Sequence, residues 1–164
     1  MDHGISYVIA LAIATVAVFT DTKYGRIPNV LTFPAMAAGL ALHGAFGGWS
    51  GMTFSAQGAA LGLGLFLLPF LLGGMGAGDV KLLAALGAFV GPMQIFAAFV
   101  CCALVGGVMG VFILVRKYGG QETLMTLMHN WNLLLTPAWR TTRMTGFPFA
   151  SAIFFGIFAS KFVV

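Results

Sequence analysis

Charge is what this sequence has least of. Eight basic and four acidic residues among 164 amount to 7% of the chain, against about a quarter in soluble domains. A water-facing surface cannot be assembled from so few charges, which indicates a polytopic membrane protein. Cysteine is nearly missing too. Cys101 and Cys102 are adjacent; a disulfide between neighbours on a helix is strained and metal-ligand spacing is lacking, so both thiols read as buried packing residues. No His-Glu-x-x-His word occurs, and neither a metal nor another cofactor is called for. The net charge of +4 comes from bases standing singly or in pairs, without a polybasic run, which argues against nucleic acid as a partner.

Apolar residues and glycine are abundant: 60% of the chain is hydrophobic and 23 residues are glycine. Small residues let helices approach closely inside a bilayer. The expected fold is therefore all-α, one compact bundle and a single domain over residues 1–164. Apolar runs predict spans over 4–20, about 30–46, about 53–72, the segment near 79–92, roughly 93–115 and roughly 147–164. These make six transmembrane helices. The first run lacks the basic start and small-residue cleavage site of a secretory signal and is read as a retained helix. "DTKYGRIPN" (21–29) is a polar hinge with Pro28 and Asn29 as turn-formers, and "GGWSGM" (47–52) is a turn. Between spans five and six, Leu124, Leu127, Met128, Trp131 and Leu135 recur at helical spacing opposite Glu122, Thr126, His129 and Asn130. That pattern suits an amphipathic interfacial helix or a helix packed on a loop.

Lys23, Arg26, Lys81, Arg116, Lys117, Arg140 and Arg143 fall in or beside alternate connections, and only Lys161 lies toward the other side. By the positive-inside rule those connections are cytoplasmic and both termini lie outside, in a chain integral to the cytoplasmic membrane. Asp21 and Asp79, the two acids flanked by membrane-grade sequence, then share the cytoplasmic side. From Asp79 to Pro92 a helix covers about 20 Å. If Pro92 reaches the outer interface, Asp79 starts below the inner one, and "GGMGAG" (73–78) before it is irregular backbone beside a wet cavity.

An ionisable group at such a place is a functional candidate. Two carboxylates at close range cannot both ionise cheaply. They share a proton, one activating a water while the other polarises a peptide carbonyl, with no metal and no covalent intermediate. Each Asp equally suits a helix cap or a pairing with a neighbouring Lys.

The local words go further. "DTKYGRIPNVLT" from Asp21 and "GAGDVKLL" from Gly76 resemble the two signature motifs of the type IV prepilin peptidases, which are Gly-x-Gly-Asp intramembrane aspartyl proteases. "GFPFASAIFFG" (146–156) is similar to the segment opening that family's last helix. The resemblance implies that Asp21 and Asp79 are the catalytic dyad. It makes Gly76 and Gly78 the residues that let substrate backbone approach and give Asp79 room to move. Lys81 and Arg26 tune the acids or hold the fold, and Lys23 is grouped with them in shaping the site. The implied partner is a prepilin or pseudopilin in the lipid bilayer, cut between a short basic leader and its hydrophobic helix at the cytoplasmic face. Bifunctional members also carry a cytoplasmic insert rich in paired cysteines, associated with methylation of the new N-terminus. Its lack here favours a peptidase-only member of the tight-adherence (Flp) pilus type.

Three other readings stand beside this one. An archaeal preflagellin or signal-peptide-type aspartyl protease shares Gly-x-Gly-Asp, although the Ile-Pro-Asn word favours the prepilin branch. A small proton or cation transporter also uses membrane aspartates. A serine protease is suggested by "GWSG" (48–51), but Ser50 falls in an outside turn without a histidine in the later helices to serve as its base.

Overall fold

The computed structural model describes residues 3–71, 75–118 and 149–163, and among these every element is an α-helix. In chain order they are α1 (His3–Tyr24), α2 (Asn29–Leu71), α3 (Ala77–Val90), α4 (Pro92–Tyr118) and α5 (Phe149–Val163). α1 and α2 are each long and apolar enough to cross a membrane. The amphipathic segment expected over 121–137 lies outside the described residues.

α3 is the axis of the bundle. Its residues from Leu82 to Val90 are all buried, with Leu82, Leu83 and Leu86 fully enclosed. The helix is 14 residues long, about 21 Å, short of the roughly 30 Å of a hydrocarbon core. From Leu82 onward the helix is wrapped on every side and has no polar face, in keeping with the uninterrupted apolar sequence there, while Asp79 and Lys81 stand near its start. Large apolar side chains point outward instead, among them Val8, Phe19, Leu71, Leu104 and Phe155, the arrangement suited to lipid rather than water.

The second and third expected spans form one element. α2 runs for 43 residues and leaves helical geometry at Gly48, with φ 56° and ψ −141°, a conformation open to glycine. The expected six-residue turn thus shrinks to one residue. Asn29 and Gly39 of the first arm meet Lys81 and Ala88, so this arm runs parallel to α3. Ser55 donates to the Ala88 carbonyl at 2.7 Å and Gly62 faces Leu83, so the second arm runs antiparallel. The two arms therefore form a hairpin straddling α3. At its bend the buried His43 packs on Phe54, ring centroids 5.6 Å apart, and its Nδ1–H donates to Gly39 O at 3.0 Å. His43 is thus held in the bend's packing.

Glycine makes the straddle possible. A Cβ on Gly39 would lie 2.9 Å from the Ala88 Cβ, and Cβ atoms on Gly58 and Gly87 would each strike the other's carbonyl oxygen. α3 passes to α4 through Gly91 alone, at φ +83°, with Pro92 as the first residue of α4 and the Phe54 ring filling the space a Cβ would need. α5 packs on α4 through Gly156 against Ala98 and Cys102. It is tied to α1 by the buried Tyr7 hydroxyl, which donates to the Ile157 carbonyl at 2.7 Å.

Replacing Gly58 by Ala pushes a methyl into the α3 backbone and is expected to cost about 1–3 kcal/mol of overpacking. Gly64 lies on the same arm, and a Cβ there would meet no atom within 4 Å. It should accept Ala without loss and gain slightly in helix propensity. Thermal unfolding in detergent distinguishes the two: a drop for Gly58→Ala and none for Gly64→Ala. Equal behaviour would contradict the close-packed straddle.

Candidate active site

Three helix ends converge at one end of the bundle. α1 finishes there, α3 starts there, and α5 starts beside them. Asp21, half-buried in the last turn of α1, faces the Ala150 backbone N–H at the head of α5. Asp79, 8% exposed, lies in the first turn of α3, within electrostatic range of Asp21. Residues that are 58 positions apart in the chain are thus brought to the same end of the bundle.

The hinge that delivers Asp21 is shorter than the sequence suggests. α1 continues through Tyr24, so Asp21 belongs to the helix and not to the link. Gly25 ends the helix at φ +62°, its N–H donating to the Asp21 carbonyl at 2.7 Å, the left-handed stop that glycine favours. Pro28 follows, and its carbonyl accepts the Leu31 N–H at 3.0 Å as α2 begins.

Asp79 also caps its own helix. Its Oδ2 accepts the Gly76 N–H at 3.2 Å, and the Asp79 N–H donates to the Gly76 carbonyl at 3.1 Å. A carboxylate at this position is favoured by the free N–H groups and the helix dipole. The capping bond occupies Oδ2 and leaves Oδ1 outside it. The cap, one of the plain readings of the sequence, is therefore present in Asp79 and leaves one of its oxygens for another role.

The glycines play different parts. Gly76 is extended (φ −76°, ψ 146°), and a Cβ on it would sit 3.1 Å from Asp79 Oδ2, so its bareness leaves room for the carboxylate. Gly78 departs from expectation. It lies inside α3 and has no positive φ, and a Cβ there would lie 3.1 Å from the Ile27 Cβ. It is a contact glycine between α3 and the hinge rather than part of an irregular strip. Between α2 and α3, the irregular backbone among the described residues is confined to 75–76.

The three bases diverge. Lys81 Nζ donates to Asn29 Oδ1 at 3.0 Å and stands 5.1 Å from the Phe33 ring centroid. Lys23 rests over the Phe19 and Tyr24 rings of its own helix, at 5.7 and 5.3 Å, and Arg26 is exposed in the link. Asn29 is therefore a contact residue as well as a helix starter. Sequence reading missed this because Ile-Pro-Asn has the form of a turn. Ala150 was equally hidden, since it contributes only its backbone N–H. Cys102, buried on α4, also lies within electrostatic range of Asp79. Ser50 is exposed and donates to the Gly47 carbonyl at 2.8 Å, a local bond within the bend.

The sequence that builds this arrangement has relatives among known proteins. The type IV leader peptidase family matches residues 8–111, which include both aspartates. A prepilin leader peptidase/N-methyltransferase of Burkholderia pseudomallei (strain K96243) is 37% identical over 97 residues, 52% of this chain and 31% of the relative. One from Aeromonas hydrophila is 38% identical over 108 residues, 61% of this chain and 37% of the relative. The chain thus spans about a third of these longer relatives. Leader peptidase HopD of Escherichia coli is 31% identical over 134 residues, 66% of this chain and 79% of that protein. No solved structure shows a significant match. With the aspartates, their flanking words and the helices between them inside one matched stretch, the chain belongs to the type IV leader peptidase family.

Proposed function

We propose that this protein is a prepilin leader peptidase, an aspartic endopeptidase in which Asp21 and Asp79 are the catalytic pair. The observation that carries the reading is the meeting of the two motif carboxylates at one end of the bundle, each held by a backbone N–H. The prepilin leader peptidase names of the Burkholderia and Aeromonas relatives favour a prepilin over an archaeal preflagellin as substrate.

The chemistry requires one carboxyl ionised and one protonated. The ionised carboxylate removes a proton from a water held between the pair, and the water oxygen attacks the scissile carbonyl carbon. The protonated partner gives its proton to the carbonyl oxygen, so the tetrahedral intermediate carries no full charge. Collapse re-forms the carbonyl, breaks the C–N bond, and the departing amine takes up a proton from the pair. The backbone N–H groups of Gly76 and Ala150 hold the acids in place throughout, preorganisation that removes the cost of orienting them at each turnover. A site at helix ends, shallow in the bilayer, suits a bond at the junction between a soluble leader and a membrane helix.

The same proposal includes the topology. It has six passes, counting both arms of α2, with the Asp21–Asp79 end at the cytoplasmic face on the strength of the basic residues near it, the Gly48 bend at the opposite face and both termini outside. The 164 residues act as one peptidase domain.

Asp21→Asn and Asp79→Asn should each lower leader cleavage by about 10³-fold or more, the scale of a lost acid–base group, while the protein stays folded in the membrane. Mass spectrometry of a co-expressed prepilin reads the outcome. Activity within tenfold of the unaltered protein in either variant removes that aspartate from the pair. Ser50→Ala should cleave normally; inactivity would reopen serine chemistry.

Sidedness has its own test. Cysteines introduced by Thr22→Cys and Ala77→Cys, both at exposed positions, should react with impermeant thiol reagents only from the cytoplasmic side, and Trp49→Cys only from outside. The reverse pattern contradicts the topology.

A further inference from the structure

We propose that Lys81 and Asn29 are positioning residues: the hydrogen bond between them, together with the seating of Ile27 on Gly78, sets the separation of Asp21 from Asp79. The inference rests on the peptidase reading for its kinetic consequences but not for its geometry.

The chain from one aspartate to the other closes into a ring of short, fixed links. The Asp21 carbonyl accepts the Gly25 N–H, so the path out of α1 is set by a left-handed glycine. Two residues on, buried Ile27 rests against Gly78, where even a methyl would come within 3.1 Å. Asn29, the first residue of α2, then accepts the Lys81 ammonium at 3.0 Å. Gly78 and Lys81 flank Asp79 on the same turn of α3, so whatever holds them holds the carboxylate. The hinge between α1 and α2 is thus pinned to the first turn of α3 at two points, one apolar and one polar. α1 touches the α2 hairpin much less than it touches α3, which leaves this hinge as the principal coupling of α1 to α2.

The ammonium is directed at a neutral amide and stands over the Phe33 ring, an arrangement that satisfies a lysine by a donor bond and a cation–π contact. A lysine so engaged serves as a strut. A lysine acting through its charge would instead alter the protonation of the acids, and kinetics separate the two.

With a prepilin substrate, Asn29→Leu and Lys81→Met should each lower kcat by about 10- to 100-fold, the scale of a small misplacement of reacting groups, with KM unchanged. Combining them should cost no more than the worse single change, because one bond is lost once. Asn29→Asp keeps an acceptor oxygen and should retain most activity. The pH limbs of kcat should stay in place in every variant. Full kcat in Asn29→Leu, additive losses, or limbs that move in Lys81→Met alone would each overturn the strut.

A second arm needs no peptidase activity. In a Cys101→Ala, Cys102→Ala background, Asp21→Cys with Asp79→Cys should be joined by a short bifunctional thiol reagent. Adding Asn29→Leu should cut the yield several-fold at an unchanged melting temperature, whereas an unchanged yield refutes the positioning role. If the unaltered protein cleaves no prepilin, the functional reading falls and this cross-linking result still decides the geometry.

Discussion

The closeness of α3 to the two arms of α2 is the constraint on which the rest of the molecule depends. In a bilayer, apolar side chains gain little by leaving lipid for protein, so helices associate through contact area and interhelical hydrogen bonds. Glycine at 39, 58, 62 and 87 removes the side chains that would hold the backbones apart. Ser55 adds a hydrogen bond to the Ala88 carbonyl inside that contact. The hairpin and the axis helix become one rigid piece, and the first turn of α3 inherits that rigidity. A carboxylate placed there is fixed in position although no ion pair holds it among the described residues.

Around this piece, α1 and α5 form a second layer attached at both ends. Far from the site the Tyr7 hydroxyl ties α1 to the Ile157 carbonyl. Near the site the Ala150 N–H faces Asp21. The two aspartates therefore belong to different layers, Asp79 to the glycine-packed core and Asp21 to its cover. If the two acids act together, their spacing depends on how the hinge after Gly25, with Ile27 on Gly78 and Asn29 on Lys81, seats on the first turn of α3.

Much of this was legible in the sequence, for identifiable reasons. Scarcity of charge dictates a membrane-type helical bundle, and the few ionisable residues stand out because each is expensive in such a setting. Asp21 and Asp79 were visible on that ground and through the words around them. What the sequence obscured was local geometry decided by tertiary contact. Gly78 follows Gly76 in a run that reads as a flexible loop, yet contact with Ile27 and continuation of α3 draw it into the helix. Asn29 looks like a turn residue because its partner Lys81 lies 52 positions away. The bend at Gly48 needs one residue where composition suggests six, since local propensity does not reveal how tightly two arms close on a shared partner.

The most direct test of the two-carboxylate site is a cryo-electron microscopy structure with a substrate-like peptide bound. Its leader–helix bond would be replaced by a secondary alcohol, a stand-in for the tetrahedral intermediate. A single site requires that hydroxyl to lie between Asp21 and Asp79, within about 2.6–3.2 Å of an oxygen of each. A peptide seated elsewhere, or a hydroxyl contacting one aspartate while the other remains engaged only in its helix cap, would contradict the account.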